Sequence, residues 1–308
     1  MTTQPSSTLK LLLLDVGNSR LKWAVLHQRY RRRQDFVAQG VMKVEALRGS
    51  AAGWSRLLKT AATPDLIYAC NVAGATVERQ LRAASGRAGL GAPHFARSAA
   101  AAAGVRNGYP EPWRLGVDRW VGLIGAHHEH PGKSLCLVGL GTAMTIDLLD
   151  AGGRHFGGSL VPGPRLMIES LLEHTAGIRR RAGGWAATAS FDLALAAAQT
   201  PGARQGKGAG SRSPATRARP AALFARDTHA GLLAGARHAC AGLIEHAMRE
   251  ARSQLGGRPR LILAGGAADA ITPLLHGRYW REDDLVLRGL AVLATDAMAP
   301  DRIKSARA

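Results

Sequence analysis

A carboxylate lies two residues before the glycine of the first polar turn in the chain. Asp15 ends an apolar run, Gly17, Asn18 and Ser19 form the turn, and a second apolar run containing Lys22 follows. At glycine no side chain blocks a phosphate from the backbone N–H groups, and a neighbouring carboxylate can anchor phosphate-bound Mg²⁺ through water. The segment is therefore a candidate phosphate and Mg²⁺ site. A plain hairpin, in which Asp15 bonds only its own turn and Lys22 is an exposed strand residue, is the alternative.

A second glycine turn, at Gly141 and Thr142, follows another apolar run. The segment from Gly139 to Ala143 aligns with the segment from Asp15 to Ser19, and each precedes an apolar strand. In a duplicated fold the two turns face each other across a cleft, where they can cradle the phosphates of ATP. A hairpin without a ligand is the alternative for either turn considered alone.

A carboxylate and a guanidinium are adjacent at Asp118 and Arg119. A loop rich in Pro and Asn gives way here to an apolar helix predicted from Trp120 to His127. Near an acceptor hydroxyl, Asp118 could accept its proton, and Arg119 could bind an anionic substrate group in bidentate fashion. A simple helix cap at Asp118 is the alternative.

Histidines and cysteines show no metal-binding spacing. Three histidines beside Glu129 point in different directions on a helix, so we predict a helix C-terminus there and not a zinc site. The three cysteines are far apart, and we expect buried thiols. The role of Asp147, which alternates with apolar strand neighbours, is undecided. These histidines and cysteines are His127, His128, His130, Cys70, Cys136 and Cys240.

Two similar series of elements position these residues, and each begins with a β-hairpin. In the first half we predict strands at 9–16, 20–27, 35–41, 65–72 and 93–96, with helices at 44–62 and 76–87. In the second half we predict strands at 135–140, 143–150, 155–161 and 260–263, with helices at 164–177, 228–254 and 285–298. The pattern predicts an α/β chain of two mixed sheets flanked by helices.

The repeated order divides the chain into an N-terminal half, residues 1–115, and a C-terminal half, residues 116–308. Residues 196–221 are rich in Gly, Ala, Pro, Ser and Arg and have no periodicity, so we predict a flexible surface insertion. A charged regulatory arm is the alternative for this segment.

The bulk composition fits a folded enzyme that remains in the cytoplasm. No apolar run is long enough to span a bilayer, and the polar first eight residues give no secretion signal. The formal charge of +19 is concentrated in short arginine runs among Ala, Gly and Pro. Such runs differ from the ordered helix or ribbon that reads DNA bases, so we expect no nucleic-acid partner. Because no apolar run is long enough, we expect no membrane partner either.

Together these motifs resemble the type III pantothenate kinase family, also called the Bvg accessory factor family, within the superfamily of actin and the sugar kinases. The resemblance covers nearly the whole chain. It rests on Asp15 to Trp23, Asn107 to Pro110, Leu115 to Trp120, Gly141 to Thr145, Gly158 to Gly163, Phe224 to Thr228 and Leu287 to Leu290.

The resemblance implies a duplicated actin-like, ribonuclease H-like fold with a central ATP cleft. It implies transfer of the ATP γ-phosphoryl group to the primary hydroxyl of pantothenate, the first step toward coenzyme A. Asp118 would be the proton acceptor. The residues implied to bind pantothenate are Tyr109, Gly116, Val117, Asp118, Arg119 and Thr228. The residues implied to bind ATP are Asp15, Val16, Gly17, Asn18, Ser19, Arg20, Leu21, Lys22 and Thr142.

One position departs from the family pattern. Members commonly carry an Asp that helps to bind a monovalent cation three residues before the threonine matched by Thr142, and here that position is Gly139. Activation by K⁺ or NH₄⁺ would then need backbone oxygens or a partner subunit. A homodimer is implied by the resemblance alone. The alternative functions are a non-catalytic ATP-binding or transcriptional accessory protein, and a kinase of another small hydroxy acid.

Overall fold

The computed structural model describes residues 9–28, 36–60, 64–182 and 222–297. The insertion predicted at residues 196–221 and most of the arginine-rich runs lie outside the described residues.

The described elements follow the predicted alternation of strands and helices. The strands are β1 (Leu9–Val16), β2 (Arg20–Gln28), β3 (Ala38–Lys43), β4 (Leu66–Asn71), β5 (His94–Phe95), β6 (Ala101–Ala102), β7 (Val105–Arg106), β8 (Leu135–Leu140), β9 (Ala143–Leu149), β10 (His155–Pro162), β11 (Arg260–Ala264) and β12 (Tyr279–Arg281). The helices are α1 (Ala51–Thr60), α2 (Ala75–Arg87), α3 (Val117–Glu129), α4 (Pro164–His174), α5 (Ala176–Arg181), α6 (Thr228–Leu255), α7 (Ala268–Ile271) and α8 (Leu285–Ala297). Short 3₁₀ turns cover Val44–Ala46, Pro112–Arg114 and Thr272–Leu274.

Two five-stranded sheets have the same strand order. The first is ordered β3-β2-β1-β4-β5 and the second β10-β9-β8-β11-β12. In each, the first three strands along the chain pair antiparallel and the remaining pairs are parallel. The predicted fold is thus confirmed: two mixed sheets flanked by helices, one topology used twice.

The alternation of side chains along β1 assigns its two faces. Leu12, Leu14 and Val16 pack in the core formed with α1 and α2. Because successive side chains point to opposite faces of a strand, Asp15 lies on the other face, which packs against α3 and α8. The sheet thereby points Asp15 toward the helix that carries Asp118.

In the second sheet, Cys136, Val138 and Leu140 of β8 face the core formed with α4, α6 and α7. On the opposite face, the His155 Nε2 atom lies 2.9 Å from Asp147 Oδ1, and both side chains are buried. This buried pair joins β9 to β10, which gives Asp147 a structural partner.

Three predicted helices differ from those observed. The helix predicted from Trp120 to His127 begins three residues earlier, at Val117, so Asp118 lies inside it. The helix predicted from Val44 begins at Ala51, because a 3₁₀ turn precedes it and Gly49 has a left-handed φ of 71°. The helix predicted from Pro164 to Gly177 is divided at Thr175, whose φ of −132° and ψ of 103° are extended. Residues 61–62 at the end of the first prediction lie outside the described residues.

The described residues form two compact units. Those up to Pro131 group with those from Asp284 onward, and Gly132–Asp283 form the second unit. This grouping places α3 and α8 with the first sheet, whereas the sequence division at residue 116 assigns them to the C-terminal half. The halves as drawn from the sequence stay a prediction, as does the expected cleft.

Candidate functional site

Asp15 is held between two partners on its sheet face. In the register of the sheet, Asp15 lies opposite Lys22 on β2 and beside Cys70 on β4. Residues directly opposite each other share a face, so the carboxylate and the ammonium belong to one local environment. The hairpin thus delivers a carboxylate and a cation beside the turn that connects them.

Electrostatics link Asp15 to Asp118. The pKa of Asp15 is raised from 3.8 to about 6, because burial and, to a smaller extent, the charge of Asp118 raise it by more than Lys22 lowers it. Burial is the main cause that raises the pKa of the Cys70 thiol, the charges of the same two carboxylates raise it further, and Arg97 opposes them. The structure therefore brings Asp15 and Asp118 within electrostatic reach of each other and of Cys70. The sequence predicted Cys70 only as a buried thiol, and it did not indicate that Cys70 or Arg97 lies near these carboxylates.

The turn after Asp15 presents its residues to solvent. Gly17 N–H donates to the Arg20 carbonyl at 3.0 Å, and Asn18, Ser19 and Arg20 are exposed. The side chains of Val16 and Leu21 are buried in the core, so only their backbone could reach a ligand at this turn. The turn itself is anchored to the next strand, since Val44 N–H donates to the Ser19 carbonyl.

Asp118 lies in the first turn of α3 and is not its N-cap. The N-cap is Gly116, and Asp118 Oδ1 accepts the backbone N–H of Arg119 at 2.9 Å. A Cβ atom on residue 116 would lie 2.8 Å from that same oxygen, so glycine makes room for the carboxylate. The local hydrogen bond occupies Oδ1, and no hydrogen bond to Oδ2 is found among the described residues.

Arg119 is buried and directed by Tyr109. The exposed fraction of Arg119 is 9%, its Nη1 donates to Tyr109 Oη at 3.1 Å, and its guanidinium carbon lies 5.7 Å from the tyrosine ring centroid. A buried guanidinium needs an anion or other acceptors to offset its lost hydration. We call Tyr109 and Arg119 the Tyr–Arg pair.

Two residues outside the predicted set brace this region. Ser98 Oγ donates to the Leu115 carbonyl at 2.7 Å, just before the start of α3. Asn107 makes side-chain hydrogen bonds across the loop that carries Tyr109. Asn107 belongs to a segment that carries the family resemblance, but its hydrogen-bond partners lie along an irregular loop and follow no spacing in the sequence.

The second glycine turn is closely packed. Gly163 N–H donates to the Thr142 carbonyl at 2.8 Å, and a Cβ on residue 163 would lie 2.2 Å from the Gly141 carbonyl oxygen. A Cβ on Gly139 would lie 2.8 Å from Thr145 Oγ1. The threonine hydroxyl thus occupies the space that an aspartate side chain at position 139 would need to enter.

Thr228 begins α6 in the second unit. Asp227 caps the helix by accepting the Ala230 N–H at 2.8 Å. Thr228 also lines an apolar groove of about 400 Å³ between α4 and α6, with Met167 and Leu171 on its other wall. The structure thus gives Thr228 a helix-terminal position, and its contact with substrate stays a prediction.

The histidines behave as predicted for a helix end. His127 and His128 occupy the last turn of α3, and His128 Nε2 lies 3.1 Å from the Ala103 carbonyl oxygen. Within the ranges given above, no three His, Cys, Asp or Glu side chains are grouped so that they could hold a metal ion. The cysteines are unpaired and buried, as expected. No helix in the described part of the chain is long and apolar enough to cross a membrane.

The chain is similar to known proteins in three respects: a family model, the sequences of named relatives and the fold of solved structures. A family model described as type III pantothenate kinase matches residues 11–200. A Burkholderia cenocepacia protein named type III pantothenate kinase is 38% identical over 293 residues, covering 94% of this chain and 96% of that protein. A Burkholderia thailandensis protein of the same name is 38% identical over 287 residues, covering 93% and 98%. A crystal structure of a candidate 2-dehydro-3-deoxygalactonokinase from Sinorhizobium meliloti aligns with a TM-score of 0.52 at 18% identity, covering 94% of this chain and 97% of that one. At this identity the last likeness bears on the fold alone.

Proposed function

The chain belongs to the type III pantothenate kinase family, and we propose that its first unit carries the proton acceptor and the anchor for the pantothenate carboxylate. As a member it is a phosphotransferase that uses ATP to convert pantothenate to 4′-phosphopantothenate, the first step of coenzyme A biosynthesis. The observation that carries the proposal is the adjacency of Asp118 and the buried Arg119 on the first turn of α3.

Asp118 accepts the proton in this proposal. The primary hydroxyl oxygen of pantothenate forms a bond to the γ-phosphorus while the bond between that phosphorus and the β–γ bridging oxygen breaks, and ADP leaves. The hydroxyl proton moves to Asp118 Oδ2, because Oδ1 already accepts the Arg119 N–H. A positioned base contributes a factor of about 10² to 10⁴.

Arg119 holds the other end of the substrate. Adjacent residues of a helix project about 100° apart, so Asp118 and Arg119 point in different directions. Pantothenate carries its hydroxyl and its carboxylate at opposite ends, which suits such a pair. The carboxylate pairs with the Arg119 guanidinium, whose planar fork suits bidentate binding, while Gly116, Val117, Tyr109 and Thr228 are the further contacts that the resemblance implies.

The Asp15 hairpin binds the phosphates of ATP. Its exposed turn offers Gly17 to Arg20, Lys22 adds positive charge, and Thr142 contributes from the second turn as the resemblance implies. Asp15 fits a Mg²⁺ role, since a desolvated carboxylate beside another carboxylate is stabilised in its ionised form by a cation. Mg²⁺, when bound, would orient the phosphates of ATP and neutralise the negative charge that develops on them during phosphoryl transfer.

The remaining parts of the proposal rest on the resemblance. K⁺ or NH₄⁺ activation, if it occurs, uses oxygens other than a side chain at Gly139, where the Thr145 hydroxyl is already in place. We also propose a homodimer and a cytoplasmic location. Comparing rates in potassium, ammonium and lithium chloride, and measuring mass by light scattering, test the first two.

The deciding experiment measures ADP production from Mg·ATP by purified protein with and without pantothenate. Wild type should need pantothenate, and Asp118→Asn should lower kcat by at least about 10²-fold while its circular dichroism and Tm stay near those of wild type. Asp150→Asn is the matched control, because Asp150 Oδ1 also accepts a local backbone N–H, from Arg154 at 2.8 Å. Absence of turnover in K⁺ or NH₄⁺ buffer, or an equal loss in both variants, would contradict the assignment.

A further inference from the structure

The loop that carries Tyr109 has little regular structure of its own. It runs from the end of the two-residue strand β7 to the 3₁₀ turn at Pro112–Arg114. Tyr109 must nevertheless be held in one position, because its hydroxyl and ring contact the buried Arg119 guanidinium and orient it. Something other than secondary structure must hold the loop.

One half-buried side chain provides that support. Asn107 Nδ2 donates to the carbonyl of Ala99 and to the carbonyl of Pro112, each at 3.2 Å. Asn107 Oδ1 accepts the N–H of Tyr109 at 3.0 Å, and the Asn107 backbone N–H donates to the Ala100 carbonyl at 2.9 Å. One amide thus links the segment before the loop, the segment after it and the tyrosine itself.

The chemistry of these partners selects asparagine. Two carbonyl oxygens require two donors on one side, and the Tyr109 N–H requires an acceptor on the other, which a side-chain amide supplies. An aspartate would place a carboxylate oxygen against both carbonyls. A serine could keep only the acceptor role, in the weaker hydroxyl version of the same turn.

We propose that Asn107 is a positioning residue for the substrate carboxylate, acting through the Tyr–Arg pair. The inference rests on the proposed function, since it requires that Arg119 binds the pantothenate carboxylate. Asn107 does not touch the substrate. It holds Tyr109 where the tyrosine hydroxyl accepts from Arg119, and the guanidinium is then aimed before the substrate arrives.

This role separates binding of the carboxylate end from the chemical step. Asn107→Ala should raise the KM for pantothenate about 10-fold, while kcat and the KM for ATP change by less than about twofold. Asn107→Ser should fall between wild type and Asn107→Ala, and it serves as the second variant if Asn107→Ala is poorly folded.

A second readout distinguishes positioning from general loosening of the loop. Pantothenol, in which a hydroxymethyl group replaces the carboxylate, cannot use the Arg119 charge. Wild type and Asn107→Ala should therefore differ in kcat/KM by less than about twofold with pantothenol, against about tenfold with pantothenate. A purely structural role would lower both values together.

Asn71 offers a matched control in the same unit. Its Oδ1 accepts the N–H of Ala73 at 3.0 Å and its Nδ2 donates to the Gly74 carbonyl at 3.0 Å, the same kind of turn before α2. Asn71→Ala should leave the pantothenate KM within about twofold of wild type.

The outcomes separate two failures. A wild-type protein that does not turn over pantothenate would overturn the proposed function and this inference with it. An active wild type, with a folded Asn107→Ala whose pantothenate KM is unchanged or whose loss is equal on pantothenol, would overturn only the role of Asn107.

Discussion

The crossing of α3 and α8 leaves no room for a side chain at its centre. A Cβ on Gly125 of α3 would lie 2.1 Å from the Leu285 carbonyl oxygen, and a Cβ on Gly289 of α8 would lie 1.9 Å from the Val121 carbonyl oxygen. Both obstacles are backbone atoms, so no rotamer change can relieve them. Gly125→Ala is the perturbation that tests this packing.

The magnitude follows from two opposing terms. Alanine is better than glycine in a helix by about 1 kcal/mol, but the clash requires the helices to separate by roughly 1 Å in a close-packed interior. Overpacking typically costs about 1–3 kcal/mol, and a clash with backbone atoms belongs at the upper end of that range, about 3 kcal/mol. Gly125→Ala should therefore lower the free energy of unfolding by about 2 kcal/mol and lower Tm by several degrees.

Gly122→Ala is the matched control, three residues earlier on the same helix. Its added methyl would meet only Val286 Cγ2, at 3.9 Å, an ordinary contact. It should raise the free energy of unfolding by about 0.5–1 kcal/mol. Urea unfolding followed by circular dichroism measures both variants. If Gly125→Ala were as stable as Gly122→Ala, the close crossing of α3 and α8 would be refuted.

Three further predictions concern the second unit. Burial, with a smaller contribution from Asp147, raises the pKa of Cys136 from 9.0 to about 12. Between these two pH values the thiol loses its proton only in the unfolded state. The free energy of unfolding therefore falls as pH rises, by about 1.4 kcal/mol per pH unit. Cys136→Ala should show a shallower decline between pH 9 and 11 in urea titrations, and equal slopes would contradict this cause. Asp227→Ala removes the side chain that caps α6 and should lower the free energy of unfolding in urea by about 1 kcal/mol. Asp227→Asn should retain most of that stability, because asparagine is also a good N-cap. If Asp227→Ala were as stable as wild type, the cap would be excluded. Gly139→Asp should lower Tm because its Cβ meets Thr145 Oγ1, and adding Thr145→Ala should restore most of the loss; a double variant no better than the single would exclude that clash.

The β1–β2 hairpin could be predicted because the information lies within one short segment. An apolar run, the turn around Gly17 and a second apolar run identify two paired strands, and period-two alternation then places Asp15 opposite to the core face. Asp118 could be placed near a helix N-terminus by the same local reasoning. Its adjacency to Arg119 follows from the chain alone.

Other features depend on contacts that no local pattern contains. Asn107 bonds to residues 99, 109 and 112 through an irregular loop, where sequence spacing does not determine which groups meet. The packing of α8 against α3 joins segments about 160 residues apart, and it is made possible by two glycines that a propensity argument would count against either helix. The helix boundary at Gly49 was missed because the apolar periodicity continues through it.

The duplication provides the scaffold, but it does not explain the chemistry. Asp15 and Gly139 occupy the penultimate positions of β1 and β8, the first strands of two sheets with the same order. In the first sheet Asp15 lies opposite Lys22, a pair of ionisable side chains. In the second, Gly139 lies opposite Thr145, whose hydroxyl is 2.8 Å from where a Cβ on residue 139 would lie. A buried carboxylate at position 139 would need a cation of its own, because an unpaired charge is costly to bury. The two turns therefore share the strand order and the hairpin but differ at the penultimate residue, with a carboxylate opposite an ammonium in the first sheet and a glycine opposite a hydroxyl in the second.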